Sequence, residues 1–432
     1  MVRLEQVFGV SAEQVLSYIS RPQVDDRFLE AIKSNKQVVV YGASKQGKTA
    51  LVSKYLPYDQ HLPVSVTPKT EVVDIYSSIL RQLNVRLLST QTDCTAREMH
   101  ATIGLRVKAL IPLFGSGEAK SDAGAKSKVE GEKQYEEVPF NLALPQDVSE
   151  LLKKVGSKKS IIIENFHYLD EDKQQQLAFD LRTFQELGVR FVILGVWREK
   201  NRLAQYNGDL LDRVMEVPVE PWTEEEFKQV AETGATELKI RFNEGIVDKC
   251  AKACFSSIGV FQELLREVCI LAGVKGTQFS LLNIGDDSMI SRAVESKAQE
   301  YAARHQRALE SIAAGNVSAT AKDGLLPLFL PYYLVRVVLS AGYDGIATGM
   351  RRATILEKIQ KIHHRADDVR ASDMSNLLYN LGKLQSSKNI SPPIIDYDKN
   401  MKLLQAVDST FYFFLKHANL DEIAEDLPSP LE

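Results

Sequence analysis

The chain has 432 residues, more than one compact core accommodates, so two or three domains are expected. Hydrophobic residues make up 44% and charged residues 25%, the balance of a soluble globular protein rather than a disordered or fibrous one. The net charge of −4 excludes a global field toward nucleic acid or membrane, so any DNA-binding face has to be local.

Residues 1–36 read as a helical lead-in, with a helix start at Ser11-Ala12-Glu13-Gln14 and helical spacing of apolar residues from Val24 to Ile32. No charged-then-apolar signal segment follows Met1. The lead-in ends a few residues before the next element and is placed to pack beside a bound base.

The stretch Gln37–Leu51 is the strongest signal in the chain. Strand formers Val38 to Tyr41 run into Gly42-Ala43-Ser44-Lys45-Gln46-Gly47-Lys48-Thr49-Ala50, a full GxxxxGK(S/T) pattern between a strand and a helix. Gly42 and Gly47 allow backbone angles that let the amides of residues 44 to 49 curl around a phosphate. The helix that starts at Lys48 points its positive dipole end at the same anion. Lys48 is expected at the β- and γ-phosphates, and the Thr49 hydroxyl at Mg²⁺.

Leu62–Val66 is a second short strand and Val72–Leu83 an amphipathic helix. Gly115–Glu137 is rich in Gly, Ala, Ser, Lys and Glu and poor in large apolar residues, which predicts a flexible insertion. Its flanks, Leu105–Phe114 and Val138–Leu144, are candidates for a hairpin. Asp147–Lys154 is a helix. Ser160–Glu164 is a short apolar strand that ends in an acid, Lys173–Leu187 a helix, Arg190–Val196 a buried strand, and Val214–Val217 one more, stopped by Pro218. Strands alternating with helices predict a parallel sheet with helices on both faces, and ligands at the carboxyl ends of its strands. This makes residues 37–220 an α/β P-loop NTPase core.

Thr223-Glu224-Glu225-Glu226 starts a set of helices that reaches Ala272, so 221–290 reads as an all-helical lid and 291–325 as a long helix with a polar linker. From 326 to 417, helical stretches at Pro331–Ser340, Arg352–His363 and Ala371–Gln385 precede two short strands around Asp398-Lys399-Asn400. Three helices followed by a two-stranded wing is the winged-helix order. Residues 418–432 read as an acidic, frayed tail. The most apolar run, Leu325–Leu339, is broken by Pro327, Pro331 and Arg336 and is too short to span a bilayer. The four cysteines, Cys94, Cys250, Cys254 and Cys269, form no CxxC pair and read as structural, so a reducing, cytoplasmic setting is expected.

A phosphate loop needs an acid on a neighbouring strand for Mg²⁺ and a group that orients the attacking water. Glu164 is the candidate acid, against a strand-end surface acid. Asn165, which follows it, orients water but accepts no proton, so slow hydrolysis is expected. Arg198, after the strand FVILGVW, is placed to sense the γ-phosphate, or to pair with Glu199 or Asp209. Arg213 is a candidate arginine finger toward a neighbouring subunit, against a plain salt bridge. His167 is either an outer group of the site or a satisfied core histidine.

The Walker A loop at Gly42–Thr49, the IIIEN strand, the arginine-ended strand, the helical lid and the winged helix together resemble the AAA+/STAND class of P-loop ATPases. The layout is shared by archaeal-type replication initiators and by NACHT and NB-ARC signalling ATPases. The resemblance covers Gln37–His417, and the Gly259-Val260-Phe261 turn falls where a lid residue approaches the nucleotide. It implies ATP or ADP with Mg²⁺ as cofactors, switching between closed and open states, and self-association. It also implies a role in bacterial signalling or defence against phage through an effector or sensor partner. The rival expectation is a DNA-binding initiator or loader. From Leu325 to His417 there are twelve Lys or Arg against eight Asp or Glu, and Ala371–Gln385 would present Ser372, Asn376, Asn380 and Lys383 to duplex DNA. A third reading is a scaffold whose nucleotide is structural.

Overall fold

The computed structural model describes residues 1–10, 14–88, 106–112, 127–130, 133–315 and 326–431. Helix α1 (Pro22–Lys33) leads into β1 (Gln37–Gly42) and α2 (Lys48–Tyr55), followed by β2 (Leu62–Ser65) and α3 (Val72–Gln82). Four further strands, β3 (Arg86–Leu88), β4 (Arg106–Pro112), β5 (Ser127–Glu130) and β6 (Lys133–Asn141), form a separate antiparallel sheet in the order β3-β4-β6-β5. The core resumes with α4 (Pro145–Lys154), β7 (Ile161–Glu164), α5 (Glu171–Glu186), β8 (Phe191–Val196), α6 (Arg202–Tyr206) and β9 (Val214–Pro218).

The central sheet is wholly parallel and runs β2-β7-β8-β1-β9. Its middle strands are apolar on both faces because both faces are covered. Val39, Tyr41, Ile161, Ile163 and Ile193 pack on the α3, α4 and α5 side. The alternate residues Val38, Val40, Ile162, Val192 and Leu194 pack on the side of α1 and α2. This period of two fixes the register, and it delivers the carboxyl ends of β1, β7 and β8 to one edge of the sheet.

The lid comprises α7 (Glu224–Leu238), α8 (Glu244–Ala253) and α9 (Ile258–Leu271), with Thr223 capping α7 through the Glu226 amide. It is not all helical: β10 (Ile240–Phe242) and β11 (Leu282–Ile284) pair in parallel, with Ile240 and Ile284 turned into the lid core. Leu4, Val7 and Phe8 are buried in that same core, so the first residues of the predicted lead-in pack with the lid. Residues 11–13 of the predicted first helix start lie outside the described residues, and Gln14 to Ser20 are not helical.

The long α10 (Ser288–Ala314) leads to the C-terminal unit. There α11 (Leu330–Ala347), β12 (Met350–Arg351), α12 (Arg352–Ile362), α13 (Ala371–Tyr379) and α14 (Leu381–Ser387) precede β13 (Ile395–Asp398) and β14 (Leu403–Ala406). The strands form a three-stranded antiparallel sheet, β12-β14-β13. Two more helices follow, α15 (Ser409–His417) and α16 (Leu420–Asp426).

Two further sequence expectations differ from this structure. Within the stretch predicted as a flexible insertion, β5 and the start of β6 pair as antiparallel strands, extending the sheet in which β6 pairs with β4 beside buried Ala109 and Ile111. Residues 115–126 and 131–132 of that stretch lie outside the described residues. The tail expected to fray instead forms α16, capped by Asn419, with Leu420 and Ile423 packed on the C-terminal core and Leu427 buried. Their i, i+3, i+7 spacing is a helical apolar stripe that the acidic composition masks. Cys250, Cys254 and Cys269 are buried and free. No helix among the described residues is long and apolar enough to cross a membrane.

Candidate nucleotide site

The loop between β1 and α2 has the backbone of a phosphate cradle. Gly47 has φ +82, a left-handed conformation that favours glycine, and α2 begins at the next residue. At Gly42, with φ +154, a Cβ would stand 2.8 Å from Val219 Cγ2 and 3.2 Å from Glu220 Oε2, so only glycine fits. Lys48 is buried, and its ammonium donates to the carbonyls of Gly42 at 3.0 Å and Ala43 at 2.6 Å. Burial lowers its pKa to about 8, against the pull of Glu220 and Glu164.

Glu164, at the end of β7, meets the loop helix: Thr49 Oγ1 donates to its Oε2 at 3.3 Å, and the Tyr58 hydroxyl donates to its Oε1. Burial raises the Glu164 pKa, while the Tyr58 and Thr49 hydrogen bonds and the charge of Lys48 oppose the rise. Two hard oxygen donors side by side suit Mg²⁺, which keeps waters and substrate phosphates as its other ligands. Asn165 turns the chain at φ 62, and its amide donates to Ser65 Oγ at 3.2 Å. His167 accepts the Val196 amide on Nδ1 at 3.3 Å.

These groups line one cavity of about 320 Å³ that takes in Ser44 to Leu51, Glu164, Asn165 and His167. Its far wall is Val15, Tyr18 and Ile19 from the N-terminal segment, with Gly259 and Gln262 from the lid. The apolar part of that wall comes from the N-terminal lead-in.

The two arginines are placed differently. Arg198 is not on the cavity wall: it pairs with Glu220 at 2.9 Å and donates to the Tyr412 hydroxyl at 3.0 Å. The pair bridges the strands on either side of β1, and Glu220 also accepts from the Ala43 amide at 2.7 Å. Arg213 lies at the amino end of the sheet, where its carbonyl accepts from the Gln37 amide. Its guanidinium contacts Gln185 at 2.7 Å and Glu186 at 3.0 Å. The structure therefore does not bring Arg213 to the loop: it precedes its parallel strand, and ligands sit at the opposite ends.

Sequence reasoning missed the groups that hold the loop from outside. Ser44 donates its amide to Val407 O at 2.9 Å and its hydroxyl to Asp408 Oδ1 at 3.1 Å. Ser409 donates to Ser44 through its amide at 3.2 Å and its hydroxyl at 2.7 Å. On the lid side, Gly259 N donates to Lys45 O at 3.0 Å, and a Cβ on Gly259 would stand 2.5 Å from Lys45 Cβ. The Gln46 amide donates to Ser409 Oγ at 3.2 Å and to Ser256 O at 3.3 Å, which touches both units. Asp408 is buried; Arg304 at 2.6 Å and the Thr410 hydrogen bonds outweigh its burial and hold its pKa below the usual carboxylate value.

A five-stranded parallel sheet in which β8 separates the loop strand from the acid-ended strand, with a Walker A loop between β1 and α2, is a P-loop NTPase fold. No protein-family model matches the chain, and no curated sequence matches it. Similar solved structures include a Walker-type ATPase of Pyrococcus abyssi, with TM-score 0.47 and 12% identity over 92% of this chain and 96% of that one. The Aeropyrum pernix Orc1 protein in complex with DNA has TM-score 0.43 and 13% identity over 98% of this chain and 96% of that one. A signal transduction ATPase with numerous domains from Pyrococcus horikoshii, which carries a tetratricopeptide repeat sensor, has TM-score 0.37 and 12% identity over 96% of this chain and 44% of that one.

Proposed function

We propose that the chain is an ATP-binding, slowly hydrolysing switch in which the state of the phosphate loop sets the placement of the lid and the C-terminal unit. The observation that carries this reading is the direct hydrogen bonding of Ser44, Lys45 and Gln46 to both units. Any ligand that reshapes these three residues differently as a triphosphate and as a diphosphate biases both contacts at once. Lys48 and the loop amides would hold the phosphates, and Thr49 and Glu164 would hold Mg²⁺, which supplies charge neutralisation when bound. Asn165 orients a water without taking its proton, so turnover is slow and the bound nucleotide persists.

The C-terminal unit is read as a winged helix that packs rather than binds DNA. In support, the wing turn is engaged with the core: Lys399 pairs with Glu171 at 2.8 Å, its amide donates to Glu199 at 3.2 Å, and Arg202 pairs with Asp396 at 2.7 Å. The initiator reading is supported by the exposure of Ser372, Asn376, Asn380 and Lys383 on α13 and α14. Salt-sensitive duplex binding that requires Arg351, Arg352 or Arg365 would favour it. A signalling or phage-defence role, an effector or sensor partner and self-association follow from the resemblance and are part of this proposal.

Calorimetric titration of the full chain with ATP and ADP tests the switch. Lys48→Ala is expected to weaken both nucleotides by at least roughly tenfold, as loss of one charge-assisted phosphate contact implies. Unchanged affinity refutes the reading. Phosphate release at ordinary ATPase rates would refute its slow-hydrolysis part, and loops and helices that respond identically to ATP and ADP would leave only a structural nucleotide.

A further inference from the structure

His167 lines the cavity, with its Nδ1 accepting the Val196 amide at the end of β8. A neutral imidazole has one donor and one acceptor, so acceptance at Nδ1 puts the proton on Nε2. That Nε2 is buried and has no hydrogen-bond partner among the described residues. A buried polar nitrogen left without a partner costs free energy unless a ligand supplies one. Burial, with the nearby charges of Lys48 and Arg202, disfavours the imidazolium and holds the ring pKa at about 3, so the group is an uncharged donor. It follows Glu164 by three residues, on the segment that leaves the acid-ended strand, and it lines the same cavity as Lys48 and Thr49. Arg198, expected to sense the γ-phosphate, is committed to Glu220 and Tyr412.

We infer that His167 donates its Nε2–H to the terminal phosphate of a bound nucleoside triphosphate, and so reads whether the third phosphate is present. This rests on the nucleotide-switch reading. The Val196 amide fixes the tautomer and the aim of the ring, so a diphosphate, which ends short of it, leaves the donor unused. The contact would be made by the triphosphate alone and would contribute to the preference for it over the diphosphate.

Two substitutions separate the two ring nitrogens. His167→Asn keeps an acceptor near the Nδ1 position and removes the distal donor; His167→Gln places an amide N–H near the Nε2 position. The full chain is titrated with Mg²⁺ and a non-hydrolysable ATP analogue, and separately with ADP. His167→Asn is expected to lose roughly tenfold in affinity for the analogue while ADP affinity stays within about twofold, and His167→Gln is expected to recover most of the loss. Equal losses for both nucleotides, or none, overturn the inference. So does a preference for the analogue that survives His167→Asn and disappears in Arg198→Ala. If His167→Asn does not fold, the comparison of His167→Gln with the unsubstituted chain decides, because retained preference supports a distal donor and its loss refutes one. If the unsubstituted chain binds neither nucleotide, the switch reading fails along with this one; normal binding with an unchanged preference in the variants refutes only the role of His167.

Discussion

Ser44→Ala isolates the contact between the phosphate loop and the C-terminal unit. The substitution keeps every loop amide and removes one hydroxyl, which donates to Asp408 Oδ1 at 3.1 Å and accepts from the Ser409 amide at 3.2 Å. A hydrogen bond to a charged group contributes about 1.5 kcal/mol, and a buried amide left unpaired costs about 1 kcal/mol more. Asp408 keeps Thr410 and Arg304 as partners, so no buried charge is orphaned. The sum, about 2.5 kcal/mol, corresponds to a shift of roughly 60-fold in the docking equilibrium. The Ser44 amide reports this shift directly, because its acceptor is the carbonyl of Val407 on the undocking unit. Hydrogen exchange of a peptide spanning Gly42–Gly47 is expected to accelerate by about that factor. Nucleotide affinity should stay within about threefold, since the cradle amides are untouched. Unchanged exchange would show that the contact contributes no docking energy and would refute the coupling argument.

Gly259→Ala places a methyl 2.5 Å from Lys45 Cβ and 2.8 Å from the Lys45 carbonyl, and backbone cannot yield as a flexible tip can. It is expected to displace the lid at a cost of about 1–3 kcal/mol, seen as faster exchange at the start of α9, and wild-type protection there would refute it. Glu164→Gln is expected to weaken Mg²⁺-nucleotide binding at least roughly tenfold while Mg²⁺-free ADP binds as before; equal loss in both titrations would mean that Glu164 supports the fold, not the ion. Asp408 has a folded pKa below its ordinary value of 3.8, so its contribution is fully present above that value and is lost as pH falls through the lower folded pKa. Acid titration of the unsubstituted chain should therefore release the C-terminal unit only below about pH 4, and Asp408→Asn should remove that acid step; an identical acid step in the variant refutes the assignment.

The parts of this molecule that were legible in the sequence are those whose partners are close in sequence or whose environment is uniform. Strands β1, β7 and β8 are apolar on both faces because they are buried on both, and their residues show it directly. The Walker A loop is legible because its glycines and Lys48 do their work within one turn of chain. Glu164 could be picked as a strand-end acid, and it does stand beside Thr49. The partners of Arg198 were not legible, since Glu220 follows β9, a strand whose place in the sheet the sequence does not order. Arg213 precedes its parallel strand and so lies at the end of the sheet away from this chain's own loop, where it makes the salt bridge with Glu186 that its sequence position also allowed. Helix α15 was hidden for a different reason. Its run of Phe411, Phe413 and Phe414 is buried on several sides, which erases helical periodicity.

The docking of Asp408 and Ser409 on Ser44 joins residues more than 360 positions apart, and no local pattern announces it. Its consequence for function is specific. Three successive loop residues each answer to a different neighbour: Ser44 to the C-terminal unit, Lys45 to the lid, and Gln46 to both. A phosphate held by the amides of those residues cannot shift them independently, because they share one tight turn ended by Gly47. Packed interfaces respond to small displacements by staying docked or letting go, rather than by stretching. On the proposed switch reading, a sub-ångström change in the cradle favours release of both units together. That requirement separates a switch from a site that merely stores a nucleotide: Ser44→Ala and Gly259→Ala act on opposite sides of the loop, and in a switch each should also loosen the contact on the side it does not touch. Independent, additive effects confined to each variant's own side would mean that the loop holds two neighbours without connecting them.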